Sequence, residues 1–109
     1  MSKPATPLEE RVCQMNETYE QVCSCQRHLA KAINEMEDSL SKIRLLKTYY
    51  TDGQFLQDYI ADEEGKINPD LIRGVLSQDG LFDLFEELNE QSARLAQLHA
   101  RLDTSLNNE

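Results

Sequence analysis

Apolar residues recur along the first half of the chain at alternating intervals of four and three positions. Only Gln26 and Lys47 interrupt this spacing, and no Gly or Pro occurs between Pro7 and Gly53. A stripe that repeats every seven residues keeps one face of a helix turned towards a partner, as in a coiled coil. The pattern predicts one long helix over residues 6–51. Its apolar stripe consists of Leu8, Val12, Met15, Tyr19, Val22, Leu29, Ile33, Met36, Leu40, Ile43 and Tyr50.

Both ends of this predicted helix carry end signals. Thr6 fits the N-cap position, Pro7 fits the first helical position, and Glu9 follows the cap by the three residues of a capping box. At the other end, Thr51-Asp52-Gly53 is typical of a glycine C-cap. The helix is therefore expected to begin near Thr6 and to end before Gly53.

The same alternation of apolar residues returns near the C-terminus and predicts a second amphipathic helix over residues 79–106. Its stripe consists of Leu81, Leu84, Leu88, Leu95, Leu98 and Leu102. The two stripes predict an antiparallel coiled-coil hairpin in which the second helix packs on the later part of the first. The early heptads then have no intrachain partner, and exposing them to water is unfavourable. We therefore expect a homodimer whose contacts involve Val12, Met15, Tyr19, Val22 and Leu29.

The connector, residues 52–78, has a different composition. All four glycines lie between Gly53 and Gly80, and six of the seven aromatic residues lie between Tyr49 and Phe85. Apolar spacing from Phe55 to Ile60 predicts one short helix that the run Asp62-Glu63-Glu64-Gly65 ends. Asn68-Pro69 is typical of a helix start and predicts another, after which Ser77 caps the final helix. The fold class is thus all-α, and residues 1–109 form a single helical domain.

A small core is expected where this connector covers the end of the helical hairpin. Gly74 is interpreted as allowing close helix packing, and Arg73 as forming an ion pair with Asp58 or Asp62. The residues assigned to this core are Tyr49, Tyr50, Phe55, Tyr59, Arg73 and Gly74.

The net charge of −9 is localised. Residues 1–51 and 91–109 are each neutral, whereas residues 52–90 contain eleven acidic and two basic side chains. So few cations argue against binding to nucleic acid or to anionic membranes. The excess of acids near aromatic residues predicts a surface that meets a basic partner. The residues assigned to this acidic end are Asp52, Asp58, Asp62, Glu63, Glu64, Asp83, Glu86, Glu87 and Glu90.

Residues that could carry chemistry are sparse. Cys23, Cys25 and His28 are the most closely spaced metal-ligand set, but Cys23 points about 200° around a helix from Cys25. Zinc needs four ligands, so we predict neither a metal nor a cofactor. His28 and His99 lack a neighbouring nucleophile, and no phosphate-binding loop occurs, so we predict that the protein is not an enzyme.

The N-terminal residues and the cysteines predict a location. No apolar run is long enough for a signal peptide or a membrane span. The three cysteines, Cys13, Cys23 and Cys25, are an odd number, which favours reduced thiols over a disulfide framework. We expect a cytoplasmic protein that does not bind membranes.

Residues 49–88 contain a series of distinctive short motifs. They are Tyr49-Tyr50, Asp52-Gly53, Phe55-Leu56, Asp58-Tyr59, Asp62-Glu63, Gly65-Lys66, Asp70-Leu71, Arg73-Gly74-Val75-Leu76-Ser77, Asp79 and Leu81-Phe82-Asp83-Leu84. This run resembles the signature of a family of short bacterial proteins known as a domain of unknown function. The family usually has an aromatic residue, commonly tryptophan, at the position of Phe55, and often a basic residue at that of Ile72. The resemblance implies an all-helical fold and a bacterial or phage-like origin, and it implies no activity.

Three functional hypotheses follow. The first is a non-enzymatic interaction module that presents its acidic, aromatic-containing end to a basic protein partner. The second is an inhibitor of the anti-defence or immunity type, whose carboxylates mimic nucleic-acid phosphates. The third is a structural coiled-coil adaptor in which the acidic end only confers solubility.

Overall fold

The computed structural model describes residues 3–107, and all regular secondary structure within them is helical. Helix α1 spans Pro7–Thr51, α2 spans Gln54–Glu63 and α3 spans Gly80–Asn107, with a single 3₁₀ turn at Gly74–Leu76. The predicted all-α class is therefore confirmed. The two long helices begin and end within one residue of the expected bounds.

The chain divides into two compact units, Met1–Ile43 and Arg44–Glu109. The first unit contains most of α1. The second contains the last turns of α1 together with α2, the 3₁₀ turn and α3. Leu76 and Leu81, which are 7% and 4% exposed, form the buried apolar core of the part described, and both belong to the second unit.

A reciprocal capping box begins α1. The Glu9 backbone N–H donates to Thr6 Oγ1 at 3.1 Å, while the Thr6 backbone N–H and hydroxyl donate to Glu9 Oε1 at 3.2 and 2.9 Å. These bonds satisfy N–H groups that a helix start leaves unpaired. They also favour the charged carboxylate, so the Thr6 backbone and side-chain bonds lower the pKa of Glu9. The predicted helix start is confirmed.

Gly53 separates α1 from α2. Its φ of 98° lies in the left-handed region, as expected for a residue that ends a helix. The Asp52 side chain then accepts a hydrogen bond from the Gln54 backbone N–H at 2.9 Å, and Gly53 O accepts one from the Gln57 N–H at 3.2 Å. One glycine therefore ends the first helix and its neighbours begin the second.

A Schellman motif ends α2. Gly65 has a φ of 73°, and its N–H donates to Asp62 O, while the Lys66 N–H donates to Ala61 O, both at 3.0 Å. This pair of bonds satisfies carbonyls left unpaired at the helix end. The predicted end of α2 at the acidic run before Gly65 is thus confirmed.

The α-helix predicted from Asn68-Pro69 does not form. Asn68 Oδ1 accepts from the Asp70 N–H and Asn68 O accepts from the Leu71 N–H, both at 3.0 Å, which closes a turn instead of starting a helix. Asn side chains compete in this way because they can bond the backbone two residues on. The only helical turn found in this segment is Gly74–Leu76. Ser77 is extended and precedes the first residue of α3 by three positions, so it is not that helix's N-cap.

We expect the substitution Gly53→Ala to destabilise the second unit by about 1–2 kcal/mol, because a Cβ disfavours the left-handed conformation. No atom lies within 4 Å of the position of the added Cβ, so the effect is conformational and not steric. Gly74→Ala is the matched control, since that position is equally open and its φ is not positive. Urea denaturation of both variants measures the difference, and equal losses would contradict this explanation.

Candidate interaction surface

Aromatic rings hold the second unit together. Phe55 is central, with ring centroids 5.1 Å from Tyr50 and 6.0 Å from both Tyr49 and Tyr59. Tyr50 also contacts Phe85 of α3, at 5.7 Å. Offset and edge-on pairs of this kind add stability beyond the apolar area that they bury. Four of the residues assigned to the core from the sequence therefore lie together, and the prediction omitted Phe85.

Lys47 interrupts the apolar stripe of α1, and the structure gives a reason for its presence. Its Nζ lies 4.7 Å from the centroid of the Phe85 ring, within the range of a cation–π interaction. A lysine at this stripe position thus packs against α3 through the face of an aromatic ring. The presence of a cation here was visible in the sequence, but its aromatic partner on α3 was not.

Arg73 anchors the loop after α2. Its Nε lies 2.8 Å from Asp62 Oδ1, so Asp62 and not Asp58 is the ion-pair partner. Its Nη1 donates to Pro69 O at 3.0 Å and to Leu71 O at 3.4 Å. The guanidinium therefore ties the turn to α2. Gly74 beside it does not serve close packing, since a Cβ there would meet no atom within 4 Å, and that interpretation is wrong.

Asp58 belongs to a different hydrogen-bonding group. Its Oδ2 accepts from the Tyr49 hydroxyl at 2.6 Å, and its Oδ1 accepts from Gln54 Nε2 at 2.8 Å. Burial raises the pKa of Tyr49 to about 12, and the hydrogen bond and negative charge of Asp58 act in the same direction. This half-buried pair links the end of α1 to α2.

The Tyr49 hydroxyl predicts an alkaline pH dependence. Its folded pKa of about 12 exceeds the ordinary value of 10.0, so the folded state keeps a proton that the unfolded state loses. The unfolding free energy should therefore fall as the pH rises from about 10 to about 12. Tyr49→Phe should reduce this dependence to the part that Tyr59 contributes, because the pKa of Tyr59 is also raised. Tyr50→Phe, which removes the same hydroxyl from a neighbouring ring, should leave the dependence unchanged. Urea denaturation at several pH values measures the slope, and the prediction fails if both variants behave alike.

The nine acidic residues predicted to bind a partner fall into two groups. The first group has partners within the chain. Asp58 and Asp62 are bonded as described, Asp52 accepts from the Gln54 N–H, and Glu64 pairs with Lys66 at 2.9 Å. Glu63 lies beside Tyr59, where its negative charge is the main cause of the raised Tyr59 pKa. These side chains stabilise α2 and its ends, so we assign them to the fold.

The second group lies on α3. Asp83, Glu86, Glu87 and Glu90 are spaced three and four residues apart, which places them on one face of the helix. All four are exposed, and with Asn89 they line a single shallow depression. We call Asp83, Glu86, Glu87 and Glu90 the acidic stripe.

The acidic stripe makes no ion pair within 4 Å in the part of the chain that the structure describes. The ion pairs found there within 4 Å are Lys31–Glu35, Lys66–Glu64 and Arg73–Asp62, and none involves the stripe. Like charges three or four residues apart destabilise a helix by about 0.2–0.5 kcal/mol per pair. Asp83 lies in the first turn, where it complements the helix dipole, but the three glutamates lie beyond that turn. Helix stability therefore does not account for Glu86 and Glu87, and only Glu90 has a cation, Arg94, at the four-residue spacing that favours a helix.

The residues predicted for dimerisation lie on α1 in the first unit. Val12, Met15, Tyr19 and Val22 are between 57% and 66% exposed, and Leu29 is 37% exposed. Cys23 is half-buried, whereas Cys13 and Cys25 are exposed, and all three are free thiols. Within residues 3–107, no three His, Cys, Asp or Glu side chains are grouped to hold a metal ion.

Neither α1, α2 nor α3 combines the length and the apolar character that a membrane crossing needs.

Comparison with known proteins gives one family match. The model of a family described as a domain of unknown function (DUF4298) matches residues 12–98. These residues include the acidic stripe, most of α1 and the aromatic core formed by the rings of Tyr49, Tyr50, Phe55, Tyr59 and Phe85. Comparisons with the curated proteins and with the solved structures find no match.

Proposed function

Since the chain belongs to the DUF4298 family, whose description names no activity, we propose its function from its own residues. We propose that it is a cytoplasmic, non-enzymatic interaction module that presents the acidic stripe of α3 to a basic surface of a partner protein. The observation that carries this proposal is a row of four exposed carboxylates that make no ion pair within 4 Å among the described residues. Such a row raises the local concentration of basic partners and orients them on encounter.

The neighbouring side chains support a protein partner. Phe82, which precedes the stripe, is 52% exposed, so an apolar group is available beside the carboxylates. Protein interfaces combine aromatic contacts at their centre with charged groups at their rim. The aromatic core behind α3, through Phe85 and Tyr50, holds the helix start in place. The stripe is therefore presented on a supported element and not on a mobile loop.

The test is a charge reversal with a matched control. In the first variant, Glu86, Glu87 and Glu90 are changed to lysine. In the control, Glu10, Glu17 and Glu20 of α1, which are also exposed, receive the same change in charge. Affinity capture from the native cell followed by mass spectrometry should lose its basic partner in the first variant and retain it in the control. Retention in both variants would contradict the proposal.

Two additions to the same capture distinguish the alternative functions. If DNA or RNA displaces the captured protein, and raising the salt concentration weakens its binding steeply, the chain acts as a phosphate mimic in a nucleic-acid site. If the charge reversal has no effect but deletion of residues 3–29 removes the partner, the chain is a coiled-coil adaptor. The protein-docking proposal requires that neither outcome is observed.

Two further proposals concern how the helices of the module pack. We propose that α3 returns antiparallel to α1, which is supported in the second unit by the contacts of Phe85 with Tyr50 and Lys47. We further propose that the exposed stripe from Val12 to Leu29 pairs with that of a second copy. Apolar rows of this length are uncommon on monomers and mark interaction sites.

A further inference from the structure

The apolar face of α1 in the first unit is long and regular. Leu8 and Val12 are each 57% exposed, and Met15, Tyr19 and Val22 are 58%, 66% and 62% exposed. They belong to a helix that is continuous over Pro7–Thr51. A partner helix would therefore bind to a preformed surface and would not have to induce the helix.

The seam of α1 has two kinds of position, which are named a and d. In a heptad, each a position precedes a d position by three residues, and each d position precedes the next a position by four. Leu8 precedes Val12 by four residues, so Leu8 is at d, and the a positions are Val12, Tyr19, Gln26 and Ile33. The d positions are then Leu8, Met15, Val22 and Leu29. β-Branched residues at a with leucine at d favour a parallel two-stranded coiled coil. Val12 and Ile33 fit the first preference and Leu8 and Leu29 fit the second, whereas Tyr19, Met15 and Val22 fit neither, so the orientation is decided by Gln26.

Gln26 distinguishes the possible orientations. In a parallel pair in register, a faces a, so the Gln26 amide meets the amide of its own counterpart and the two can exchange a hydrogen bond. In an antiparallel pair, a faces d, and every d residue from Leu8 to Met36 is apolar. A polar amide buried against such a residue would lose its hydrogen bonds to water without replacement. A parallel pair shifted by one heptad would likewise set Gln26 against Tyr19 or Ile33.

The residues that flank the seam are compatible with a second copy. In a parallel pair, each g residue lies near the e residue five positions later on the other helix. The g positions Arg11, Thr18 and Cys25 would then face Asn16, Cys23 and Ala30. None of these pairs places like charges together. A different protein would normally be selected by charges at these positions, and this stretch offers almost none.

We propose that α1 pairs with α1 of a second copy as a parallel, in-register coiled coil over residues 8–33, with Gln26 opposite Gln26 fixing the register. This inference rests on the homodimer proposed above and adds its orientation and register. It is independent of the acidic stripe, because none of the four stripe residues lies on α1.

The first measurement is the oligomeric state by sedimentation equilibrium. The full chain should be dimeric at micromolar concentration. Met15→Glu with Val22→Glu should give a monomer whose helix content by circular dichroism is unchanged. Gln14→Glu with Gln21→Glu adds the same charge outside the seam and should leave the dimer intact. A monomeric wild-type chain would overturn both the homodimer and this inference, without affecting the capture experiment for the stripe.

Orientation is measured by disulfide trapping in a background where Cys13, Cys23 and Cys25 are serine. Leu8→Cys places a thiol at a d position, which in a parallel pair lies within disulfide range of its counterpart. Equilibration in a glutathione redox buffer should link Leu8→Cys chains about tenfold more than Glu10→Cys chains, whose thiol is on the outer face. If a mixture of Leu8→Cys and Ile33→Cys, which face each other in an antiparallel pair over residues 8–33, links preferentially as the mixed pair, the dimer is antiparallel and the inference is wrong.

Gln26 itself gives the last test. Gln26→Leu should strengthen association but lose the defined dimer, giving higher oligomers or shifted registers, because a single polar a residue specifies register at a cost in stability. Gln26→Asn keeps an amide at this position and should keep the dimer. If Gln26→Leu remains a dimer with the same disulfide pattern at Leu8→Cys, Gln26 does not fix the register.

Discussion

Replacing Leu81 by alanine is expected to lower the unfolding free energy of the second unit by about 3 kcal/mol. Leu81 is 4% exposed and is the most buried residue described. Its removal takes apolar atoms from the core and leaves a cavity that the surrounding helix can fill only partly. Because a small unit has little stability to lose, this single change should leave a large unfolded fraction at room temperature.

Leu106→Ala is the matched control for Leu81→Ala. It makes the same chemical change in the same helix, at a side chain that is 73% exposed. We expect an effect within about 0.5 kcal/mol. Near-ultraviolet circular dichroism is a suitable signal, since the chain has no tryptophan and three of its four tyrosines lie in the second unit. Similar losses in both variants would show that Leu81 is not part of a packed core.

Features fixed by local chemistry were predictable from the sequence. The ends of α1 follow from the bonds that Thr6 and Glu9 can make and from the need for a left-handed residue at Gly53. The end of α2 follows from Gly65 in the same way. In each case the decisive interaction joins residues fewer than six positions apart. A single sequence is enough to identify such interactions.

Features that depend on competition between local and distant bonds were not predictable. Asn68-Pro69 fits a helix start, but Asn68 bonds the backbone of a turn, and Arg73 takes the carbonyls of Pro69 and Leu71. Those two carbonyls are held by a side chain whose charge is bound to Asp62 on α2. The outcome therefore depends on the position of α2, which residue spacing does not determine.

The acidic residues show the same division. Their number between residues 52 and 90 was evident from composition, but their roles were not. Asp58 and Asp62 carry the same charged group as Glu86 and Glu87, and their different roles follow from what lies beside them in space. The structure separates carboxylates with intrachain partners from those of the acidic stripe, so a surface of nine candidate residues narrows to four.

Changing Arg73 to methionine is expected to destabilise the second unit by about 1.5–2 kcal/mol. Methionine keeps the apolar stem but removes the charge and all donors, leaving Asp62 unpaired and the turn detached from α2. The side chains of Arg73 and Asp62 are 34% and 24% exposed, so water screens part of the interaction and the value lies below that of a fully buried pair. Urea denaturation measures the loss, and hydrogen exchange at Leu76 should show whether the segment after the turn opens first.

Lys66→Met is the control for Arg73→Met, because it removes the only other ion pair of the described part of the second unit. Lys66 and Glu64 have side chains that are 68% and 50% exposed, so this change should cost about 0–0.5 kcal/mol. Combining Arg73→Met with Asp62→Asn should cost less than the two single changes added together, by about 1 kcal/mol, because each removes the same bond. Full additivity would mean that Arg73 acts through the carbonyls of Pro69 and Leu71 alone, and that its pairing with Asp62 contributes nothing to stability.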